Sequence, residues 1–154
     1  MKMSMGNQHY HHLLIMTILS FISMFILMYA MVDRFANVFV SYNQFYMAGL
    51  MTAPMVLIEL VVMRSMYTNA KWNVAIIVAT VVALLFFFMA IRVQLAVSDT
   101  QFLRSMIPHH AGAILMCEKA SIEDANIQKL CASIIEGQKA EIVEMKGLLD
   151  RPTE

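Results

Sequence analysis

Long apolar runs separated by short polar connections dominate the first two thirds of the chain. The runs at residues 13–32 and 74–91 contain no charged residue, whereas the run at 45–63 contains Pro54 and Glu59. Each run has about the twenty residues that an α-helix needs to span a hydrocarbon core of roughly 30 Å. Proline is tolerated in membrane helices. The pattern therefore predicts three transmembrane helices.

The apolar run fades after residue 92, and the pattern becomes that of two amphipathic helices. Residues 98–101 read SDTQ, which has the spacing of a capping box and predicts a helix that starts near Asp99. We expect this helix to bend near Pro108, because proline cannot donate a backbone hydrogen bond. A second capping box, Ser121 to Asp124, predicts a last helix that ends near Leu149. These signals predict a helical hairpin.

The predicted fold class is thus all-α, with three regions. A polar N-terminal tail occupies residues 1–12, a three-helix transmembrane region occupies 13–97, and a C-terminal hairpin occupies 98–154.

Composition supports a membrane protein, since 60% of the residues are hydrophobic and only 14% are charged. Residues 98–154 carry six Lys or Arg against nine acids, which argues against nucleic-acid binding by the hairpin. The basic residues near the ends of the spans favour, by a narrow margin, a cytoplasmic N-terminus and an extracytoplasmic hairpin. They are Lys2, Arg64, Lys71 and the free amine on one side and Arg34, Arg92 and Arg104 on the other.

The two cysteines, Cys117 and Cys131, both lie in the hairpin. A turn centred near Ile122 would place Ala113 opposite Cys131 and offset the two cysteines by about 6 Å along the helix axis. This register disfavours a disulfide between them, because the two Cα atoms of a disulfide must lie within about 7 Å.

Soft metal ligands gather on the first hairpin helix, in the segment SMIPHHAGAILMC. Met106, His110 and Cys117 share one stripe at helical spacing, and His109 and Met116 flank it. Thioether, thiolate and imidazole groups suit Cu(I) or Ag(I) better than cations that prefer oxygen ligands. The alternative is that the methionines pack in a core and the histidines make local hydrogen bonds.

Enzymatic patterns are missing from the sequence. It contains no Glu-x-x-His pair of a di-iron bundle and no His-Glu-x-x-His zinc motif. We therefore expect a binding protein and no enzyme.

The segments DTQFLRSMIPHHAGAILM and IIEGQKAEIVEMKGLL closely resemble the ferritin-like domain-of-unknown-function 305 family. The resemblance covers about the last 55 residues of the chain. The family signature is an Asp, Phe-Leu and Met-Ile-Pro-His-His, followed on a second helix by Gln-x-x-Glu-Ile-x-x-Met. The matching positions are Asp99, Phe102, Leu103, Met106, Ile107, Pro108, His109, His110, Ala113, Met116, Gln138, Glu141, Ile142 and Met145.

The resemblance implies a function in the handling of copper and silver ions. Members include periplasmic proteins that bind these ions and are linked to copper resistance, and a subgroup has three membrane spans before one short hairpin. This implies a multi-pass protein of a bacterial inner membrane with Cu(I) or Ag(I) as its metal. The ligand candidates carried over are Met106, His109, His110, Met116 and Met145. Cys117 and Cys131 are additions to the family pattern that we also consider as ligands.

A lone two-helix hairpin has an apolar face that it cannot bury alone. We therefore expect hairpins from two or more chains to associate into a ferritin-like bundle, which makes the protein a homo-oligomer in contact with membrane lipid. The competing hypothesis is that the hairpin serves only as an oligomerisation module without a metal.

Two further groups of soft residues lie outside the hairpin. The N-terminal residues MKMSMGNQHYHH offer methionines and histidines, although a short exposed tail is typically disordered. In the second span, Met47, Met51, Met55, Glu59 and Met63 recur every four residues. An ionisable residue inside a membrane is by default a functional candidate, but Glu59 is close enough to the span end to reach the interface.

Overall fold

The protein, described here from a computed structural model that covers residues 5–151, is all-helical over that range and has no strand there. The five α-helices are α1 (Met5–Leu27), α2 (Tyr42–Val62), α3 (Ala70–Arg92), α4 (Asp99–Lys119) and α5 (Ala125–Leu149). Two short 3-10 turns, Met28–Met31 and Phe35–Asn37, lie between α1 and α2. The all-α prediction is confirmed.

Three of the helical segments are long and apolar enough to cross a membrane: Gln8–Met31, Tyr42–Val62 and Ala70–Arg92. They correspond to the three predicted runs. The prediction of a disordered polar tail was wrong for residues 5–12, which form the first turns of α1, and residues 1–4 lie outside the described range. Helix α1 extends over this polar stretch because the Tyr10 side chain is hydrogen-bonded to α3. Its hydroxyl donates to the Asn73 side-chain oxygen, 2.7 Å away.

The chain divides into two compact units. The membrane unit consists of the chain up to Leu27 together with Asn43–Leu95, and the hairpin unit consists of Met28–Tyr42 and the chain from Ala96 onward. We call the segment Met28–Tyr42 the strap. The sequence pattern alone places the strap in the membrane region, whereas the structure groups it with the hairpin.

The helices of the membrane unit touch through a few large side chains. The ring of Phe45 on α2 lies 5.0 Å from that of Phe21 on α1 and 6.2 Å from that of Phe87 on α3, measured between ring centroids. Gly49 on α2 faces the Phe87 ring so closely that a β-carbon there would overlap it. Between the three helices lies an apolar cavity of about 480 Å³, which Thr80 and other residues line. This unit is held by these ring contacts and by a buried cluster of Leu13, Val56, Leu60 and Tyr67.

The hairpin unit has a continuous core. Its buried residues Ile107, Ala111 and Ile114 come from α4, and Ile142 and Met145 come from α5. The half-buried residues packed against this core include Val32 and Phe39 of the strap as well as Leu103, Met106 and Leu149. The strap therefore covers part of the apolar face that the sequence analysis assigned to other copies of the chain.

Polar contacts hold the strap on α5. The Lys146 ammonium donates to the Ala36 carbonyl oxygen at 2.9 Å and to the Asn37 side-chain oxygen at 2.6 Å. The Asn37 amide nitrogen donates in turn to the Asp33 carboxylate at 2.6 Å. The charged Lys146 ammonium donates to the buried side-chain oxygen of Asn37, so the strap is held by charge-assisted hydrogen bonds as well as by apolar contacts.

The helix starts differ in detail from the sequence signals. The predicted start at Asp99 is correct, but the Ser98 side chain makes no capping hydrogen bond. The last helix is capped by Asp124, whose side chain accepts from the backbone of Asn126 and Ile127, and it begins at Ala125, four residues after Ser121. Helix α4 continues through Pro108 without ending there.

Candidate metal cluster

His110 sits between the two helices of the hairpin with both ring nitrogens close to oxygen atoms. Its Nδ1 atom lies 2.8 Å from the carbonyl oxygen of Met106, and its Nε2 atom lies 2.8 Å from a carboxylate oxygen of Glu141. Because a carbonyl oxygen can only accept, Nδ1 carries a hydrogen in this contact. The His110 side chain is only 12% exposed, whereas that of Glu141 is 54% exposed. The imidazole is therefore oriented by the backbone and shielded by a half-exposed carboxylate.

Two methionines lie one helical turn from the His110–Glu141 pair. Met106 is one turn before His110 on α4 and packs on the core, and Met145 is one turn after Glu141 on α5 and is buried in the core. The spacing of four residues on each helix places each pair on one face. We call Met106, His110, Glu141 and Met145 the cluster.

The two remaining candidates on α4 lie outside the core. His109 is exposed, and its ring centroid is 6.0 Å from that of His110. Met116 is 54% exposed and lies six residues beyond His110, which corresponds to about 9 Å along the helix. Met116 therefore cannot share an ion with Met106 within one hairpin, because the two residues are about 15 Å apart along the axis.

Cys117 and Cys131 form a disulfide, and their Cα atoms are 5.3 Å apart. The prediction that disfavoured this disulfide was wrong because the register differs by one helical turn, so that Cys131 lies opposite Cys117 and not opposite Ala113. The connection between α4 and α5 is centred on Ile122 as predicted, so the shift does not come from the position of the turn. As disulfide sulfurs, the two cysteines offer no thiolate, and in this oxidation state they leave the candidate ligand set.

Glu141 is the residue that the sequence analysis missed as part of the site. A usable signal existed, since Glu141 and Met145 share the i, i+4 spacing on α5 that Met106 and His110 share on α4. Within residues 5–151, no three His, Cys, Asp or Glu side chains converge as a metal-binding group. Any ion in the cluster would therefore depend on thioether sulfur.

The methionines and histidines of the membrane unit are more widely spread than those of the hairpin. His12, Met16 and Met24 of α1 and Met55 of α2 border a shallow groove. Met47 and Met51 on α2 and Met63, the residue after α2, are between 37% and 43% exposed. No structural feature joins the methionine stripe of α2 into one site.

Glu59 has a local partner at the end of α2. Its carboxylate accepts a hydrogen bond from the Tyr67 hydroxyl at 3.2 Å. Burial, and secondarily the neighbouring Glu59, raises the pKa of Tyr67 to about 12. This hydrogen bond joins the end of α2 to the connection that leads to α3, so Glu59 has a structural role.

The fold and cluster together define an all-helical protein with three candidate membrane spans and a disulfide-linked hairpin that carries a His–Met cluster. Residues 89–149 match the domain of unknown function DUF305. The chain is also 31% identical over 141 residues to the uncharacterized protein L153 of Acanthamoeba polyphaga mimivirus, with 90% of this chain and 91% of the viral protein covered. The chain therefore belongs to one family with this viral protein and carries the DUF305 domain. No solved structure matches the chain.

Proposed function

We propose that this chain is a membrane-anchored protein that binds Cu(I) or Ag(I) through its hairpin and serves in metal tolerance or metal handover. The observation that carries this proposal is that Met106 and Met145 pack on one hairpin core, one helical turn from the His110–Glu141 pair. Two thioethers and an imidazole are a donor set that favours soft, low-coordinate ions. The cluster lies within residues 89–149, the part of the chain that matches DUF305.

The orientation of His110 supports the proposal. Metal-binding histidines commonly donate one ring N–H to a backbone carbonyl or a carboxylate, which fixes the tautomer and leaves the other nitrogen for the ion. The contact from Nδ1 to the Met106 carbonyl is of this kind. An ion at Nε2 would have to displace the Glu141 carboxylate, which is half exposed and has room to turn toward solvent.

The disulfide supports an extracytoplasmic hairpin. Disulfides persist in oxidising compartments and are rare in the cytosol. With three spans, a hairpin outside the cytoplasm requires the N-terminus on the cytoplasmic side, which agrees with the narrow charge bias of the connections. The assignment to a bacterial inner membrane stays a prediction.

Competition titration with a Cu(I)-selective chelator tests the proposal on the purified full chain in detergent. We expect the wild type to bind Cu(I), and we expect a Met106→Leu, Met145→Leu double variant to bind at least tenfold more weakly. Leucine keeps the apolar volume, so this variant removes the sulfur atoms with little effect on packing. The matched control is Met89→Leu, an exposed methionine of α3. Equal affinities in all three proteins would contradict the proposal.

The alternative function is a structural module without a metal, and one observation favours it. Both ring nitrogens of His110 already have partners, and Met145 is part of the core. This alternative predicts that His110→Ala lowers the melting temperature and that Cu(I) shifts the melting of neither protein. Metal binding predicts a rise in the wild type alone, because a ligand that binds only the folded state stabilises it.

A further inference from the structure

The apolar cavity of about 480 Å³ between α1, α2 and α3 lies within the membrane unit. Small residues make room for it, since Gly49 and Ala53 of α2 and Ala79 and Ala83 of α3 all line it. Packed protein interiors contain few voids larger than a water molecule, and apolar voids stay dry. Small-molecule sites have volumes of about 300–1,000 Å³. The cavity is therefore large enough to hold an apolar ligand.

Threonines on all three helices line the cavity, and two of them have satisfied hydroxyl groups. Thr17 donates to the Leu13 carbonyl oxygen and Thr52 donates to the Ala48 carbonyl oxygen, each at 2.8 Å. A bond to the carbonyl four residues earlier is the usual one for threonine within a helix. Thr80 is only 8% exposed and lines the same cavity, yet its hydroxyl makes no hydrogen bond to the residues that the structure describes. This hydroxyl is therefore available to a ligand.

Thr80 lies near the middle of a candidate membrane span. Helix α3 runs from Ala70 to Arg92, so that Thr80 is about 15 Å from one end and about 18 Å from the other. Water is absent from the hydrocarbon core of a bilayer, and a buried hydroxyl without a partner is costly there. A ligand that suits this cavity therefore brings an oxygen atom to the depth of Thr80. The acyl chain of an ordinary membrane lipid has no oxygen at this depth.

The cavity has aromatic lining on the same helix face as Thr80. Thr80, Ala83 and Phe87 follow the i, i+3, i+7 spacing of one face of α3, and all three line the cavity. The small Ala83 therefore leaves space between the Thr80 hydroxyl and the Phe87 ring. Phe21 of α1 lines the cavity as well. Because aromatic side chains pack favourably against another flat ring, a flat ring that carries an oxygen atom fits this part of the cavity.

Most of the remaining lining consists of aliphatic side chains, which suit a hydrocarbon tail. They are Leu13, Leu14, Ile18, Val56 and Ile76. We infer that the cavity binds a lipid-soluble molecule with a flat ring, a ring carbonyl that accepts a hydrogen bond from Thr80, and an apolar tail. This is the chemistry of a membrane quinone. The site lies in the membrane unit and does not depend on a metal in the hairpin.

Trp72 provides a readout of binding, because it is the only tryptophan of the chain. It lies about 12 Å along α3 from Thr80, and quinones quench tryptophan fluorescence over such a distance. The experiment is a fluorescence titration of the full chain in lipid nanodiscs, with a decyl-substituted benzoquinone as the probe. We expect saturable quenching in the wild type, in addition to the linear quenching that quinone dissolved in the lipid causes.

Two alanines of α3 give a matched pair, since Ala83 lines the cavity, whereas Ala75 is exposed and does not. We expect Ala83→Phe to abolish the saturable quenching by filling the cavity, and we expect Ala75→Phe to keep it.

Thr80→Val keeps the shape of the side chain and should weaken binding of the probe about fivefold, which corresponds to one hydrogen bond. Decylbenzene, which has the same tail but no carbonyl, should displace the probe with one affinity from the wild type and from Thr80→Val. A wild type without saturable quenching, or equal quenching in the two alanine variants, would overturn the inference. Equal probe affinity in the wild type and Thr80→Val would overturn it as well, because any hydrocarbon chain would then fill the cavity.

Discussion

The two units of this protein are built on different principles. The membrane unit has apolar helices that touch through aromatic rings and through a buried cluster of Leu13, Val56, Leu60 and Tyr67, and they leave an apolar cavity of about 480 Å³ between them. The hairpin unit has amphipathic helices with a buried core, a disulfide and a charged clamp, which is the pair of hydrogen bonds from Lys146 to the strap. Because a disulfide and a charged clamp fix the hairpin, it is there that a ligand cluster can be held. The following predictions test that contrast.

The largest difference is expected between a buried position of the hairpin and an exposed position of the membrane unit. Ile107 is fully buried in the hairpin, and Ile107→Ala should lower the free energy of unfolding by about 2–5 kcal/mol because it removes packed atoms and leaves a cavity. The same substitution at Ile18 on α1, which is 51% exposed, should change stability much less. Thermal unfolding of the full chain in detergent, followed by circular dichroism, compares the two. Equal losses would show that the units do not differ in this way.

The disulfide should make the next largest contribution to stability. Its two cysteines are 14 residues apart, and closing a loop of about 15 residues stabilises a protein by about 3 kcal/mol through the unfolded state. We expect Cys117→Ser, Cys131→Ser to lower the melting temperature of the hairpin unit. A reducing agent should do the same to the wild type and should have no further effect on the variant. Thiol titration of the unreduced wild type should find no reactive cysteine, and two reactive thiols would refute the pairing.

The clamp on the strap should make a smaller contribution. Lys146→Met removes two charge-assisted hydrogen bonds to Ala36 and Asn37 and leaves the buried amide of Asn37 short of a partner, at a cost of about 1–3 kcal/mol. The control is Lys139→Met, which breaks an exposed ion pair with Glu118 worth about 0–1 kcal/mol. Hydrogen exchange of the strap amides should accelerate in the first variant alone. Acceleration in both variants to the same degree would contradict a specific clamp.

The smallest effect is expected at the end of the membrane unit. The raised pKa of Tyr67, about 12, means that the folded state favours the neutral phenol. This stabilisation is complete below the ordinary tyrosine pKa of about 10 and is lost as the pH rises from there toward 12. Glu59→Gln should lower the pKa of Tyr67 only in part, because burial is the larger cause. Ultraviolet titration against a Tyr67→Phe reference measures the pKa of Tyr67. An unchanged pKa in the Glu59→Gln variant would exclude Glu59 as a cause.

The parts of the fold that depend on local pattern could be predicted from the sequence. The spacing of the apolar residues and the length of each segment predict three apolar helices and two amphipathic ones. The approximate positions of the helices follow from the same pattern. The soft residues Met106 and His110 stood out for the same reason, since their spacing of four residues is visible without any tertiary information.

The parts that depend on distant contacts were not predictable in the same way. The pairing of Cys117 with Cys131 depends on the register of the hairpin, which differs by one helical turn from the predicted register although the connection is centred on Ile122 as predicted. The strap is held by Lys146, more than a hundred residues away in the chain, and no local pattern marks such a contact. The involvement of Glu141 likewise required the register of the hairpin to be known.

X-ray absorption spectroscopy of the Cu(I)-loaded full chain tests the central proposal most directly, because it counts the sulfur and nitrogen neighbours of the ion. The account predicts two sulfur neighbours and one nitrogen neighbour, supplied by Met106, Met145 and His110. In the Met106→Leu, Met145→Leu variant the sulfur neighbours should be lost. A wild-type spectrum with only nitrogen and oxygen neighbours, or a sulfur signal that persists in the variant, would contradict it.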